Sequence, residues 1–421
     1  MNNLLELGKK HNMDIEIFKE KNKSTDISTL NDKIKLFQIT DVTSYIIKAI
    51  KDNRCIKIVT ENIDNPSEIV STLEKIFITS DNKNSNKLCS GNLVNKVEKF
   101  EEIDYNKVKE DLLSLNNLKK VYSCIKSIEA EFSHIENSNT IKNGVNNCNM
   151  EDETYFNSYG VAITIEKNNL NRVLYIGYYT KTYNFEEFKA YLFKRLEYLI
   201  IKLESESVKT DKYKVLLTNN VVENMLATFS DSFHSKGIYL KNSVLTDKLN
   251  NKIFSDKISI YEDSPNGIAN FNFDSEGTIR KKQFIVDKGV FCNEINNLEY
   301  AIKLKKAPTG NADGVNNLCI APGKKSFDEL IKLLDNGIII DEAYGFHAGV
   351  DKKTGNISVQ AEGLLVNNGK ITKGLNMIIL STNFFEVFSN VCEVGNDLSK
   401  TSLIVCAPSI LLDNITITGK E

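Results

Sequence analysis

Residues 345–369 have the sequence GFHAGVDKKTGNISVQAEGLLVNNG, and they indicate how the C-terminal half of the chain folds. The alternating run from Gln360 to Val366 is typical of a β-strand, and apolar residues resume at Ile371. Between them, Asn367-Asn368-Gly369 predicts a hairpin turn, because asparagine and glycine tolerate positive φ. We therefore predict a loop, a strand, a turn and a second strand. Three polar residues could line a groove or satisfy backbone groups: Thr354, Asn356 and Ser358.

Length and charge limit the classes of protein to consider. A chain of 421 residues is long enough for two or three domains with ample core. Its 53 basic and 56 acidic residues give a net charge of −3. Phosphate binding needs a clustered basic surface, so this balance argues against direct nucleic-acid contact.

The N-terminus and the cysteines indicate a cytoplasmic protein. The first residues, MNNLLELGKKHNMDIEIF, lack the long apolar core of a secretory signal, and no apolar run has the length of a membrane span. The eight cysteines contain no Cys-x-x-Cys pair. Scattered cysteines of this kind are typical of reduced core thiols, and apolar neighbours predict that Cys392 and Cys406 are buried and inert.

The first half of the chain predicts two α+β units, 1–80 and 100–207, joined by a polar linker at 80–95. In the first unit, helix-like spacing predicts a helix over Val42–Lys51, and Ser67 is a candidate cap of the next helix. The other predicted elements of the first unit are two helices, at 2–8 and 67–78, and three strands, at 14–19, 34–39 and 55–60. The second unit has predicted helices at 104–115 and 185–203, strands at 121–132, 161–165 and 173–179, a turn at Asn168-Asn169 and a turn-rich segment at 137–149.

The third unit, 212–421, is rich in short strands. It has predicted helices at 221–233, 327–334 and 384–391, a turn at 287–289, and strands at 213–217, 258–260, 271–273, 284–286, 289–291, 338–340, 364–366 and 377–380. Strands and helices do not alternate regularly, so the fold class is α+β, with N-terminal α+β units followed by a strand-rich C-terminal domain of mainly antiparallel sheets. No Walker loop, Gly-x-Gly-x-x-Gly or Gly-x-Ser-x-Gly motif is present.

A few residues outside residues 345–369 are candidates for chemistry. His234 follows the 221–233 helix and could contact a ligand, or it could be an exposed histidine that favours the helix C-terminus. His347 could bind a ligand or form a local hydrogen bond. Asp274-Ser275-Glu276-Gly277 offers two carboxylates for acid–base work, although such a pair before a glycine is also typical of a turn.

Several motifs resemble the TldD/PmbA family, and in particular its PmbA (TldE) branch. That branch has a Thr-Gly-Asp-Tyr-Ser-like core, in which this chain has Asn356 and Ile357 at the third and fourth positions. The resemblance covers essentially the whole chain, with the clearest motifs between Val215 and Gly419. The supporting motifs are Ala307-Pro308-Thr309-Gly310-Asn311-Ala312, Asn317-Leu318, Pro322-Gly323, Ser326 to Leu330, Val394-Gly395-Asn396-Asp397 and Pro408-Ser409 to Gly419.

The resemblance implies where a metal site would lie. In the TldD branch, the helix after the first strand of the third unit carries a His-Glu-x-x-x-His motif that binds zinc, with the glutamate as the general base. The matching positions here begin with Leu226 and Ala227 and end with Asp231. The chain has four histidines, and no two of them lie within five residues of each other. The resemblance therefore implies no metal and no catalytic residue in this chain.

The resemblance leaves several functions open. In the first, the chain is a TldE-like subunit without a cofactor of its own, and it pairs with a TldD-like zinc subunit to cleave peptides. Its substrate-binding residues would then be Thr354, Asn356, Ser358 and His234. In the second, it is a non-enzymatic regulator of gyrase or of a toxin–antitoxin system, and in the third it is a homodimer with independent activity.

Overall fold

The computed structural model describes residues 1–79, 87–97, 99–167 and 170–420. The predicted turn at Asn168-Asn169 and the first part of the predicted linker, 80–86, lie outside the described residues. Within the described residues, no helix is both long and apolar enough to cross a lipid bilayer.

The first half of the chain combines long strands with a few helices. In chain order its elements are α1 (Asn2–Lys10), β1 (Asp14–Leu30), β2 (Lys33–Lys51), β3 (Arg54–Thr60), α2 (Pro66–Thr79), β4 (Asn92–Asn95), α3 (Tyr105–Ser114), α4 (Leu118–Val121), β5 (Ile125–Asn143), β6 (Asn149–Lys167), β7 (Leu170–Thr180) and α5 (Phe185–Ile201). A 3₁₀ turn, Lys202–Glu204, follows α5.

The second half contains shorter strands and helices. Its elements are β8 (Ser205–Glu206), β9 (Asp211–Leu217), α6 (Asn219–Phe229), α7 (Ser235–Tyr239), β10 (Ile260–Glu262), β11 (Gln283–Asp287), β12 (Val290–Phe291), α8 (Leu298–Leu304), β13 (Leu318–Ile320), α9 (Phe327–Leu334), β14 (Gly337–Tyr344), β15 (Asn356–Asn367), β16 (Lys370–Asn383), α10 (Phe384–Ser389), β17 (Val391–Val394), β18 (Val405–Cys406) and β19 (Ile410–Thr418).

One sheet of the N-terminal half joins the two predicted α+β units. Its strand order is β3-β2-β1-β5-β6-β4, and β7 also pairs with β6. Strand β1 pairs with β2 on one side and with β5 on the other, and both pairings are antiparallel. Helices α1 and α2 cover one end of this sheet, and α3 and α5 cover another part of it. The division into units 1–80 and 100–207 stays a prediction.

The predicted helix over Val42–Lys51 is wrong, because these residues form the second half of β2. Tyr45 to Ile50 pair with β1 on one side and with β3 on the other. Hydrogen bonds to two neighbouring strands stabilise this segment as a strand more than its helical apolar spacing, which extends over only ten residues, would favour a helix. The β-branched Ile46 and Ile47 also suit a strand.

Four smaller predictions in the first 300 residues also need correction. The turn-rich segment at 137–149 is mostly strand, because Asn137 to Asn143 continue β5, with Asn137 to Lys142 opposite β6. The strand predicted at 121–132 begins only at Ile125, since α4 ends at Val121 and a turn follows it. The strand predicted at 271–273 is reduced to an isolated bridge at Phe273. Ser67 lies inside α2, and Asn65 Oδ1 instead accepts a hydrogen bond from the Glu68 amide.

The C-terminal half contains two sheets that are mainly antiparallel, as predicted. The larger has the order β17-β19-β9-β14-β15-β16-β8, and the smaller has the order β12-β11-β10-β13-β18. Because β19 pairs with β16 as well as with β9, the strands β9, β14, β15, β16 and β19 close into a ring. The hairpin predicted between β15 and β16 is confirmed: Asn368 and Gly369 have φ values of 50° and 68°.

The predicted states of Cys392 and Cys406 are wrong. Cys406 forms a disulfide with Cys319, because the parallel pairing of β13 and β18 places these two residues side by side. Cys392 is exposed, since side chains alternate along β17 and its neighbour Val391 is the one that points inward.

Candidate functional site

Helix α6, which carries the first four of the positions matched to the TldD-branch zinc motif, lies inside the apolar core of the C-terminal half. It contacts β14 of the larger sheet and β18 of the smaller one. Val222, Met225, Leu226 and Phe229 are fully buried, as their spacing along one helical face predicts. The Phe229 ring stacks on Phe384 with centroids 4.5 Å apart.

The residues at the matched motif positions do not fit a zinc ion. Leu226 has no exposed surface and no donor atom, and Ala227 has no donor atom in its side chain. Asp231 lies beyond the end of α6, where its carboxylate contacts Lys352 Nζ at 3.3 Å. Zinc sites need three or four nitrogen, sulfur or oxygen ligands. In the part of the chain that the structure describes, no group of three His, Cys, Asp or Glu side chains could hold a metal ion.

Thr354 lies in a tight turn at the end of the 345–355 loop. Its hydroxyl donates a hydrogen bond to Asp351 Oδ2 at 2.9 Å, and the Lys353 amide donates to Asp351 Oδ1 at 2.9 Å. These hydrogen bonds lower the pKa of Asp351. The turn passes through Gly355 at φ 84°, where an added Cβ would lie 2.7 Å from the Phe385 ring. The Thr354 hydroxyl therefore stabilises this turn.

Asn356 and Ser358 lie on the first residues of β15 and not in the loop. Asn383 Nδ2 donates to Asn356 Oδ1 at 2.9 Å and to the Thr354 carbonyl at 2.8 Å. Asn383 also caps α10, through the Phe385 amide. Ser358 is exposed and pairs with Ser381 of β16. Both side chains are thus on the protein surface, and the Asn356 amide is also held by Asn383.

His234 directly follows a 3₁₀ helix, Ser230–Phe233, that continues α6, and it also precedes the first residue of α7. It is half-buried, and its backbone forms an isolated parallel bridge with Ile295. Burial lowers the pKa of its imidazole, and Asp231 opposes that effect. His347 is exposed in the loop before Thr354. The ion pair of Asp231 with Lys352 brings the end of α6 next to this loop.

A buried carboxyl on α6 was missed at the level of sequence. Glu223 is only 5% exposed, and Thr401 Oγ1 donates a hydrogen bond to its Oε1 at 2.8 Å. Its Oε2 is buried without a hydrogen-bond partner among the described residues. Burial raises the pKa of Glu223 to about 7. Its position one turn before Leu226, beside the apolar face of α6, is the signal that could have identified it.

Asp274 and Glu276 form the turn that is typical of two carboxylates before a glycine. Asp274 accepts hydrogen bonds from the amides of Glu276, Thr278 and Ala312 at 2.9–3.0 Å. Burial nevertheless raises its pKa to about 6. Glu276 instead accepts from the Leu298 amide at 2.8 Å. The two carboxyls therefore have separate structural partners.

The architecture of the C-terminal half is that of a metallopeptidase-like protein. Residues 210–419, about half of the chain, match the family model of the PmbA/TldA metallopeptidase C-terminal domain. The chain belongs to the PmbA/TldD family, as its motifs indicate.

Known relatives support the family and the fold. The metalloprotease PmbA homolog of Buchnera aphidicola is 30% identical over 52% of this chain and 49% of its own length. The aligned part of the chain thus spans about half of such curated relatives. A Thermotoga maritima structure, described as a candidate modulator of a DNA gyrase, superposes with a TM-score of 0.85 at 23% identity and covers 99% of both chains. TldE from Thermococcus kodakarensis superposes with a TM-score of 0.83 at 18% identity over the whole of both chains. At these identities the two structures establish the fold.

Proposed function

We propose that this chain is the TldE-like subunit of a TldD/TldE-type metalloprotease that cleaves peptides. The subunit has no metal of its own, and zinc is held by a TldD-like partner in a heterodimer. The observation that carries the proposal is the state of the matched motif positions. Leu226, at the first position, is fully buried in the core, and Asp231, at the last, is exposed and paired with Lys352.

In this proposal the chain helps to hold an extended peptide beside the partner's zinc. An extended peptide can add to a sheet edge through main-chain hydrogen bonds, but β15 is occupied on both sides at Ser358, by β16 and by Gly349 of the preceding loop. In this proposal the side chains of that surface therefore contact the peptide. Ser358 is the strongest of the proposed substrate contacts, because Thr354 and Asn356 are equally exposed but their side chains are hydrogen-bonded to Asp351 and Asn383. Thr354, Asn356 and His234 complete the proposed surface. Self-association in place of the heterodimer is the alternative assembly.

The proposed complex works in the cytoplasm, where thiols stay reduced. The six cysteines that are free in the described residues suit that compartment, whereas the Cys319–Cys406 disulfide is of a kind that is rare there. The near balance of charge, −3 overall, favours a peptide substrate over direct contact with DNA.

Metal analysis and peptide turnover test this function together. The purified chain, a TldD-like partner and their mixture are compared by elemental analysis for zinc and by hydrolysis of an unstructured peptide. We expect no stoichiometric zinc and no hydrolysis for the chain alone, and both for the mixture. One equivalent of tightly held zinc in the chain alone would contradict the proposal. It would also be contradicted if the partner hydrolysed the peptide at the same rate with and without the chain.

A further inference from the structure

The disulfide between Cys319 and Cys406 is unusual for the compartment in which we place this chain. Disulfides are rare in the cytosol, and those that occur there are mostly transient, with catalytic or redox-sensing roles. All eight cysteines lie in the described residues, and the other six are free. The single bonded pair is therefore a candidate for reversible oxidation.

The backbone holds the two thiols side by side whether or not they are bonded. Cys406 belongs to β18, a two-residue strand at the edge of the smaller sheet, and Cys319 belongs to its parallel neighbour β13. Their Cα atoms lie 4.6 Å apart, which is within the span that a disulfide bridges. The Leu318 amide also donates a hydrogen bond to the Ile404 carbonyl at 3.0 Å. Because this pairing does not depend on the sulfur atoms, reduction leaves the thiols placed to form the disulfide again.

The two cysteines differ in their access to solvent. Cys319 is 2% exposed, whereas Cys406, at the edge of the sheet, is only half-buried. Thiol–disulfide exchange requires that an attacking thiolate reach a sulfur atom. Cys406 is therefore the cysteine that exchanges with a small molecule, and Cys319 is the one that resolves the mixed disulfide.

Residues 397–406 form a short strap whose two ends are attached to the C-terminal half. At the first end, Asp397 accepts hydrogen bonds from the Ser409 amide at 3.1 Å and from the Ser409 hydroxyl at 2.7 Å. At the last end, the disulfide attaches Cys406 to β13. Reduction therefore removes the one covalent attachment of the strap to its neighbours in space.

The middle of the strap connects the two halves of the chain. The Tyr179 amide of β7 donates a hydrogen bond to the Lys400 carbonyl at 2.8 Å, and Lys400 Nζ donates to Glu187 of α5. On its other side, Thr401 Oγ1 donates to Glu223 of α6 at 2.8 Å. The strap therefore contacts the central part of the chain and also the helix that carries the first matched motif positions.

The same strap forms one wall of a cavity of about 240 Å³. Asp397, Leu398 and Lys400 line the cavity from the strap, and the other walls are α5 and the starts of α6 and α9. A strap that is attached less firmly would uncover this cavity more often.

We propose that Cys319 and Cys406 are a reversible redox pair that controls how firmly the strap is attached. The proposal rests on the cytoplasmic setting of the function proposed above, and the oxidant is a small-molecule disulfide. The disulfide form holds the strap closed over the cavity. In the dithiol form, hydrogen bonds and the ion pair of Lys400 with Glu187 hold the strap, so it opens more often.

Oxidation proceeds by two exchange steps. The Cys406 thiolate attacks one sulfur of the small disulfide, so that a new S–S bond forms while the old one breaks and releases a small thiolate. The Cys319 thiolate then attacks the Cys406 sulfur of this mixed disulfide and releases the second small thiolate. The two cysteines lose two protons and two electrons, which the small disulfide takes up as it becomes two thiols. An excess of the small thiol reverses both steps.

Glutathione buffers with thiol trapping test the redox pair in the full chain. The purified chain is equilibrated at a series of ratios of reduced to oxidised glutathione, approached from both the oxidised and the reduced protein. Acid quenching, alkylation of the unfolded chain and mass spectrometry then give the fraction of Cys319–Cys406 disulfide. We expect the pair to pass from disulfide to dithiol within the series. A disulfide that persists in reduced glutathione alone would overturn the proposal, and so would a dithiol that persists in oxidised glutathione alone.

Hydrogen–deuterium exchange compares the strap in the two forms. We expect the amides of residues 399–406 to exchange several-fold faster in the dithiol form, because exchange reports local opening. The Tyr179 amide should follow them, since its acceptor is the Lys400 carbonyl. The amides of the turn between β15 and β16 should exchange equally in both forms. Equal exchange of the strap in the two forms would also overturn the proposal.

Two serine variants make the exchange measurement specific. Cys406→Ser cannot form the disulfide, so its strap should exchange at the fast rate in oxidised and reduced glutathione alike. Cys392→Ser is the matched control, because Cys392 is a free, exposed cysteine outside the strap, and this variant should behave as the parent does. A strap that still responds to oxidised glutathione in Cys406→Ser would contradict the assignment to this pair. The comparison of the two forms of the parent protein needs no variant, so the proposal is testable even where a substitution disturbs folding.

Neither measurement involves the partner subunit, zinc or peptide hydrolysis. A failure of the redox pair leaves zinc content and hydrolysis in the mixed complex as they are, and the two proposals can therefore fail separately.

Discussion

The Nζ atom of Lys202 lies 2.9 Å from Oδ2 of Asp341, and both side chains are at most 3% exposed. This ion pair connects the turn after α5 to β14, and so links the central part of the chain to the C-terminal ring. A buried ion pair adds little folding stability compared with a pair of apolar side chains of similar size. Removal of only one partner, however, leaves a buried charge without compensation and is strongly destabilising.

Lys202→Met is therefore expected to lower the free energy of unfolding by about 3–5 kcal/mol, as measured by urea denaturation. Lys202→Met combined with Asp341→Leu is expected to recover a large part of that loss. The control is Lys373→Met, which breaks a pair with Glu206 of the same length, 2.9 Å, in which both side chains are more than half exposed. That change should cost under about 1 kcal/mol. Equal effects of Lys202→Met and Lys373→Met would contradict the prediction.

The second prediction concerns the pH dependence of stability. The pKa of Glu223 is about 7 in the folded protein and close to ~4.3 in an unfolded chain. Between these values the folded state binds more protons, so the free energy of unfolding falls as the pH rises. Glu223→Gln removes this titration. The decrease in the free energy of unfolding between about pH 5 and about pH 8 should therefore be about 2–3 kcal/mol smaller in the variant than in the parent protein.

Urea denaturation at several pH values measures the effect of Glu223→Gln. Glu110→Gln, which changes an exposed glutamate on α3, is the control and should leave the pH dependence as it is in the parent protein. The interpretation of Glu223 is wrong if the parent protein and Glu223→Gln lose stability in parallel as the pH rises.

The third prediction concerns Leu226, which occupies the first motif position. Leu226→Ala should lower the free energy of unfolding by about 2–5 kcal/mol, because it leaves a cavity in a packed core. Asn224→Ala, on the exposed face of the same helix, should stay within about 0.5 kcal/mol of the parent. A near-neutral Leu226→Ala in thermal or urea unfolding would show that this position is not part of the core.

The fourth prediction separates substrate contact from turn stability in the 354–358 segment. Ser358→Ala removes an exposed hydroxyl, so it should lower peptide turnover by the reconstituted pair several-fold, up to about tenfold, and leave the melting temperature unchanged. Thr354→Ala removes the hydrogen bond to Asp351 and should lower the melting temperature by a few degrees. Ser67→Ala, on the exposed surface of α2, is the control for both changes. Unchanged turnover in Ser358→Ala at full occupancy of the complex would remove Ser358 from the substrate surface.

Elements specified by local chemistry were predictable from the sequence. Helix α9 runs from Phe327 to Leu334 as predicted, because Ser326 and Glu329 form a capping box at its start. The Asn368-Gly369 hairpin was predictable for the same reason, since two adjacent residues determine its turn.

Features that depend on distant partners were not predictable. Residues 42–51 have helical spacing but form a strand, because β1 and β3 flank them on both sides. The bulges at Asp341 and Glu362 arise from register shifts between β14, β15 and β16, and no local pattern specifies such shifts. In the sequence Glu223 cannot be distinguished from an exposed helical glutamate, because its burial depends on contact with the distant segment around Thr401.

The pairing of β1 with both β2 and β5 determines which fragments of the protein can remain soluble. A fragment that begins near residue 100 would expose the whole β1-facing side of β5, which pairs with β1 from Glu129 to Asn143. A long unpaired strand edge is a template for aggregation. A fragment that ends near residue 80 would expose the opposite side of β1 in the same way. We therefore expect soluble expression of the N-terminal half to require strands β1 to β3 together with β5.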